Sequence, residues 1–168
     1  VIRTFHSFGS WFLRKFSQEV GLIPSFTVYD DSDMEVLLKK AVPSLSSKEA
    51  KLAAHQISLA KDYFLTPEDD LTLLGSEFDI NQIYFEYEKR LRATGNVDFG
   101  DLIMKPAQIM EQYQDIENYI HNRFKVVMVD EYQDSNIAQY KLLQKISGVE
   151  RNTGNYVCVV GDDDQSIY

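Results

Sequence analysis

Positive charge is in short supply in this sequence: 17 lysines and arginines face 26 aspartates and glutamates, for a net charge of −9. A protein that grips nucleic acid over its whole surface carries the opposite balance, so any phosphate contact must be confined to a local basic track. Cysteine is scarcer still. The one thiol, Cys158, lies in the apolar run Tyr156-Val157-Cys158-Val159-Val160. It excludes an internal disulfide, predicts a buried small hydrophobe and fits a reducing compartment such as the cytoplasm. No stretch approaches the roughly 20 apolar residues of a membrane span, and no secretory signal is visible. The chain starts at Val1 without a methionine and stops inside a polar cluster, so an excised piece of a longer protein is expected. What is present is globular: 44% apolar and 26% charged residues. A length of 168 residues suits one domain, or one domain with a small insert.

The stretch Phe124-Lys125-Val126-Val127-Met128-Val129-Asp130-Glu131-Tyr132-Gln133-Asp134 organises the rest. A short, β-branched apolar run predicts a strand buried on both faces, as in a parallel sheet. The acids then fall at the carboxyl end of that strand, where open α/β sheets keep their ligands. Adjacent carboxylates point in different directions and divide the work. One can hold a hard cation such as Mg²⁺, while the other orients or deprotonates a water attacking a phosphate. A strand ending in a solvated acidic turn is the bland alternative.

Val1 to Gly9 reads as the tail of a strand turning into a loop. Ser10 is then the expected cap of a helix through Trp11, Phe12, Leu13, Phe16 and Val20, closed by Gly21. Thr4, His6 and Ser7 are short polar donors suited to a backbone phosphate, although a capping turn explains them too. From Pro24 to about Asn96 the pattern is helical. Ser32 with Glu35, and Ser46 with Glu49, form expected capping boxes, and Thr66-Pro67 predicts a third, shorter helix. The spacing of Ile80, Ile83, Tyr84, Tyr87 and Leu91 predicts a helix stopped by Gly95, its aromatic stripe serving as core. His55 has no partner at ligand spacing, and no catalytic constellation is expected in this region. It reads as an all-helical insert carried between two parts of an α/β domain.

Asp98 is the expected cap of the next helix, with Asp101 favouring its positive end, and Pro106 should kink or end it. A further helix over roughly Asp115 to His121 leads into the organising strand. After the acids, Ser135 or Asp134 is expected to cap a helix through Ile137, Tyr140, Leu143 and Ile146, stopping near Gly148. A second apolar strand, Tyr156 to Val160, also runs into a polar cluster, Gly161 to Tyr168. Strand, helix, strand at this length predicts a right-handed parallel crossover, which brings both clusters to the same sheet edge.

Thr4-Phe5-His6-Ser7, Val97-Asp98-Phe99 with Asp101-Leu102, Asp130-Glu131-Tyr132-Gln133-Asp134 and Gly161-Asp162-Asp163-Asp164-Gln165-Ser166-Ile167-Tyr168 resemble, in order and approximate separation, successive motifs of the UvrD/Rep/PcrA-type superfamily 1 DNA helicases. The resemblance spans nearly the whole chain, and its last two motifs together are highly specific. It implies an ATP-driven 3′-to-5′ translocase on single-stranded DNA and duplex junctions. The implied fold is α/β: part of a RecA-like (P-loop NTPase) parallel sheet over residues 1–23 and 97–168, with the helical insert subdomain over 24–96. By motif position Asp130 holds Mg²⁺, Glu131 activates the hydrolytic water and Gln165 senses the γ-phosphate of ATP. Gln133 and Asp134 resemble supporting residues. Thr4, His6, Ser7 and Tyr168 match positions that line the DNA path, where stacking contributes ~1–3 kcal/mol per base without demanding a sequence.

The departures bear on activity. None of the eight glycines precedes a lysine, so the G-x-x-x-x-G-K-[ST] loop that holds the β- and γ-phosphates is absent. In the family it lies upstream of the point where this chain starts. The Gly-Trp-Arg continuation, the second motor domain and its arginine finger are missing as well. The expectation is that this chain alone neither hydrolyses ATP at a useful rate nor unwinds DNA, and that it binds DNA weakly and salt-sensitively. Two competing readings are a Mg²⁺-dependent phosphohydrolase without a P-loop and a non-catalytic interaction module.

Overall fold

The computed structural model describes residues 1–75 and 77–162. Helix α1 spans Phe5–Lys15. Its start corrects the expected strand tail and Ser10 cap. Thr4 is extended, its hydroxyl accepts the Ser7 N–H at 3.1 Å, and Ser10 lies inside the helix. The reason is local: a threonine oxygen can serve a first-turn donor, and Phe5 and Phe8 extend the apolar face of Phe12 back by two turns. Gly21, left-handed at φ 67°, closes the one-turn 3₁₀ segment Ser17–Val20 that follows.

Strand β1 (Val28–Tyr29) pairs in parallel with β2 (Val97–Asp98), and three helices lie between them in sequence: α2 (Asp31–Ala41), α3 (Ser47–Asp62) and α4 (Ile80–Thr94). Helix α3 has the expected Ser46–Glu49 capping box and α4 the expected Gly95 stop. Helix α2 is capped by Asp30 with Asp33 rather than by Ser32 with Glu35; the same spacing occurs twice, and the earlier pair starts the helix. The helix expected at Thr66-Pro67 does not form. Asp69 instead accepts both the Thr66 N–H and its hydroxyl, a side-chain alternative to helical bonding.

Helix α5 (Asp101–Gln112) runs through Pro106, so of the kink or end expected there, the end does not occur. Pro106 cannot donate to the Leu102 carbonyl four residues back, and that carbonyl faces Gly9 of α1. A Cβ on Gly9 would lie 1.7 Å from the Leu102 oxygen, so the absence of that atom allows two backbones to touch where the helix bond is missing. Helix α6 (Gln114–Arg123) leads to β3 (Val126–Val129), which pairs in parallel with β4 (Tyr156–Val159). Between them α7 (Ile137–Ser147) is capped by Asn136 with Gln139, not by Ser135 or Asp134, and closed by left-handed Gly148.

Two apolar clusters hold these elements. One joins α1, α5, α6 and α7 through Phe12, Leu13, Met110, Ile120 and Leu142, and Phe8 and Trp11 add edge-on ring contacts to Phe124 just ahead of β3. The other joins α2, α3 and α4 through Leu38, Ile57, Tyr84, Tyr87 and Leu91. The fold is thus mostly helical, with two small parallel sheets. Strand β3 is not buried on both faces: Val126 and Met128 are 62% and 73% exposed while Val127 packs inward. Cys158 is exposed rather than buried. Both corrections follow from a sheet of two strands, which covers one face with α7 and leaves the other open.

Candidate functional site

At the carboxyl ends of β3 and β4 the backbone closes into a small polar web. The Val160 N–H donates to the Val129 carbonyl at 2.8 Å and the Tyr132 N–H to the Val160 carbonyl at 3.0 Å. Glu131 adopts the left-handed conformation, φ 52°, which turns the chain sharply out of the strand. Such a conformation is uncommon for a residue with a Cβ. Asp130 accepts the Glu131 N–H at 2.9 Å. Gln133 ties the edge together: its amide nitrogen donates to the Glu131 carboxylate, and its amide oxygen accepts the Asp162 N–H at 3.1 Å. A Cβ on Gly161 would meet that amide oxygen at 2.6 Å and the Gln133 backbone nitrogen at 3.3 Å, so the two clusters approach closely here. Asp130, Glu131 and Asp162 are all exposed.

The second set of predicted residues lies at the amino end of α1. Thr4 and Ser7 are exposed and bonded to each other in the cap. With Ser7 satisfied by Thr4, the Phe5 and His6 N–H groups have no intrahelical acceptor, and the first turn carries no acid. His6 is half-buried, its ring 4.6 Å from that of Phe99 on the β2–α5 turn. Burial lowers its pKa, which favours the neutral ring. His6, Phe99 and Gly100 line a cavity of about 360 Å³ together with Asp30, Asp31 and Asp62. Burial raises the Asp62 pKa.

A third constellation was not foreseen. Lys61, 1% exposed near the end of α3, places its ammonium 2.7 Å from Asp98, 2.9 Å from Asp101 and 2.5 Å from Glu88. Arg92 adds a bond to Asp101 at 2.8 Å, and the Tyr87 hydroxyl donates to Asp98 at 2.8 Å. Asp98 and Asp101 also accept each other's backbone N–H groups. Burial alone would lower the Lys61 pKa; Asp101, Asp98 and Glu88 outweigh it and hold the ammonium well above its ordinary range. Burial would likewise raise Asp101, but Lys61 and Arg92 hold it well below the usual carboxylate range. Burial and the neighbouring Asp101 push Asp98 up. Glu88, Asp98 and Asp101 lie close enough together for a metal ion, yet the Lys61 ammonium sits among them. The signal was in the sequence: Lys61 falls four residues after Ile57 on the apolar face of α3, where a lysine needs buried partners.

The structure therefore brings Asp130, Glu131 and Gln133 to one edge, and Thr4, His6 and Ser7 to one helix end. Among the described residues no hydrogen bond, ion pair or ring contact joins the two groups. Gln165 and Tyr168 lie outside the described residues.

The sequence matches the family described as UvrD/REP helicase N-terminal domain over residues 1–168. The ATP-dependent DNA helicase UvrD1 of Mycobacterium tuberculosis is 36% identical over 180 residues, covering 99% of this chain and 23% of the relative. The ATP-dependent DNA helicase Rep of Buchnera aphidicola is 35% identical, covering all of this chain and 26% of the relative. The ATP-dependent DNA helicase PcrA of Bacillus subtilis is 31% identical, covering 99% and 23%. The chain spans about a quarter of the length of these curated relatives.

Proposed function

This chain belongs to the UvrD/REP helicase N-terminal domain family, and from that premise we propose that it is part of an ATP-driven 3′-to-5′ translocase and helicase acting on single-stranded DNA and duplex junctions in the cytoplasm. Residues 1–23 and 97–168 contribute to a RecA-like motor domain, and residues 24–96 form its helical insert. The observation that carries the reading is the shared edge of β3 and β4. Two parallel strands end side by side, and one glutamine side chain joins Glu131 after the first to Asp162 after the second.

The residues at this edge fit Mg²⁺ and ATP. Asp130 is exposed, and among the described residues the one hydrogen bond its carboxylate carries comes from its own neighbour. Mg²⁺ is commonly held by one or two carboxylates together with substrate phosphates, keeping several waters, so Asp130 would be its protein ligand here. When bound, the ion supplies positive charge to the phosphates. Glu131 orients the attacking water and takes its proton at the carboxylate, and Gln133 fixes where that carboxylate points. Gln165 is assigned to the γ-phosphate. The free N–H groups of α1 with Thr4, His6 and Ser7 form the backbone contact to DNA, and Tyr168 is assigned to the same track. The exposed face of β3 supports a sheet completed by further strands of the parent, since parallel sheets are covered on both faces. The chain alone is inactive in ATP hydrolysis and unwinding.

The test is ATP hydrolysis by the full-length parent, with and without single-stranded DNA, beside its Glu131→Gln variant. DNA-stimulated turnover that collapses in the variant is expected. Turnover indifferent to DNA, or unchanged by the substitution, overturns the motor reading.

A further inference from the structure

Helix α3 ends in a way that its sequence does not favour. After its last residue, Asp62, and the cap Tyr63, the chain turns through Phe64 in the left-handed region, φ 61°. The Phe64 N–H donates to the Lys61 carbonyl at 3.0 Å, and the Leu65 N–H to the Ala60 carbonyl at 2.8 Å. This helix-ending turn usually places glycine where Phe64 stands, because a Cβ is strained there. Among the described residues two other non-glycine positions have positive φ, Glu131 and Asn152. Glu131 belongs to the acid edge, and asparagine tolerates the conformation. A bulky aromatic residue persists there when its surroundings fix it.

Those surroundings lie beyond the three-helix unit of α2, α3 and α4. Phe64 packs against the cluster of α1, α5, α6 and α7, and the Lys141 ammonium of α7 lies 5.6 Å from its ring centroid, within cation–π range. The next residue, Leu65, packs against the other cluster. One turn earlier, Lys61 bonds Asp98 of β2 and Asp101 of α5, and a Cβ on Gly100 would lie 2.8 Å from its side chain. The end of α3 thus attaches its unit at two points, to β2 and α5 through charges and to α7 through a ring. One attachment leaves a body free to rotate about it, whereas two fix an angle. Helix α7 in turn starts just after the acids Asp130 to Asp134 and packs on β3.

We propose that Phe64 is a positioning residue that sets the angle of the three-helix unit against α7, and so against the edge that carries Asp130 and Glu131. The strained turn is kept because it sends the Phe64 ring to one cluster and Leu65 to the other. The consequence for activity rests on the motor reading. A unit held at one angle can pass a DNA contact on to the acid edge, and one that swings cannot.

The experiment measures distances by pulsed electron spin resonance in the full-length protein, with Cys158→Ser present throughout and other accessible thiols removed. One pair of spin labels, on Leu73→Cys and Val149→Cys, spans the two parts; these positions are 99% and 52% exposed. A second pair, on Val36→Cys and Leu73→Cys, lies within the three-helix unit. Phe64→Asn keeps a residue suited to the left-handed turn and removes the ring. It should broaden the Leu73–Val149 distribution, leave the Val36–Leu73 distribution narrow, and cut the DNA stimulation of ATP turnover about 5-fold or more, with turnover in the absence of DNA unchanged. Phe64→Tyr keeps the ring and should match the unsubstituted protein. A Leu73–Val149 distribution that stays narrow in Phe64→Asn overturns the proposal. So does broadening of the Val36–Leu73 pair, which would make Phe64 a residue of the unit's own fold. Broadening between the parts with full DNA stimulation overturns the link to the acid edge. An unsubstituted protein without DNA-stimulated turnover overturns the motor reading, and the distances then judge Phe64 by themselves.

Discussion

The Lys61 ammonium lies 2.7 Å from the Asp98 carboxylate, and both side chains are 1% exposed. This ion pair joins α3 to β2, and through Asp101 to the start of α5. Removing one member of a buried pair leaves the others charged and desolvated. Lys61→Met is expected to cost about 3–5 kcal/mol, read as a lower urea midpoint with an unchanged slope. A loss under about 1 kcal/mol, the range of exposed pairs, would show that water reaches the cluster.

Glu131→Gln keeps the shape of the side chain and removes the proton acceptor. In the full-length protein its ATP turnover should fall about 10²- to 10⁴-fold, the usual contribution of a general base, while affinity for single-stranded DNA stays the same. Gln133→Ala should give a smaller fall, because the Glu131 carboxylate remains but is no longer held. Steady-state ATPase assays and DNA titrations on both variants separate these effects.

Gly9→Ala tests the closest backbone approach. The new methyl would sit 1.7 Å from the Leu102 carbonyl oxygen, and the obstacle is backbone rather than a side chain that can swing away. A destabilisation of at least about 1–3 kcal/mol is expected from forced separation of α1 and α5. A thermal unfolding midpoint unchanged from that of the parent chain would contradict this packing.

Burial lowers the His6 pKa from 6.5, so the folded chain favours the neutral ring and the unfolded chain takes up a proton first. Stability from this group is present above pH 6.5, declines as pH falls below it, and is fully lost once pH passes below the folded-state value. Urea unfolding at about pH 7.5 and 5.5 should show a loss that is smaller in His6→Gln. An identical pH dependence in the variant would mean that the His6–Phe99 contact does not hold the ring away from water.

Cys158 is exposed on the two-stranded sheet. If the parent completes the sheet, a thiol reagent should modify Cys158 quickly in the 168-residue chain and many times more slowly in the full-length protein. Equal rates would mean that the open face of β3 and β4 stays open, against the RecA-like proposal.

Much of the fold was legible as local pattern. The Ser46–Glu49 box, the Gly95 and Gly148 stops and the parallel β3–α7–β4 crossover follow from residues within a few positions of one another. The errors cluster where one pattern offered two solutions. Asp30, Ser32, Asp33 and Glu35 contain overlapping capping boxes, and the Asp30–Asp33 pair prevails. Thr4 and Ser10 could each start α1, and Phe5 and Phe8 belong to its buried stripe, which favours the earlier start. Pro106 reads as a kink or an end of the helix, because sequence alone does not reveal that Gly9 packs against the Leu102 carbonyl.

The acids after β3, and the motif order that places the chain in its family, are properties of the sequence by itself, because they depend on residue type and short spacing. What the tertiary structure alone decided is which distant groups share a site. Gln133 reaches Asp162 across 29 positions and Lys61 reaches Asp98 across 37, while His6 meets Phe99 from another element altogether. Contacts of that kind leave no periodic trace, since each depends on how whole helices and strands pack rather than on the spacing of their residues. The same packing explains why the apolar strand Val126–Val129 has an open face: composition calls for burial on both sides, and among the described elements α7 covers one.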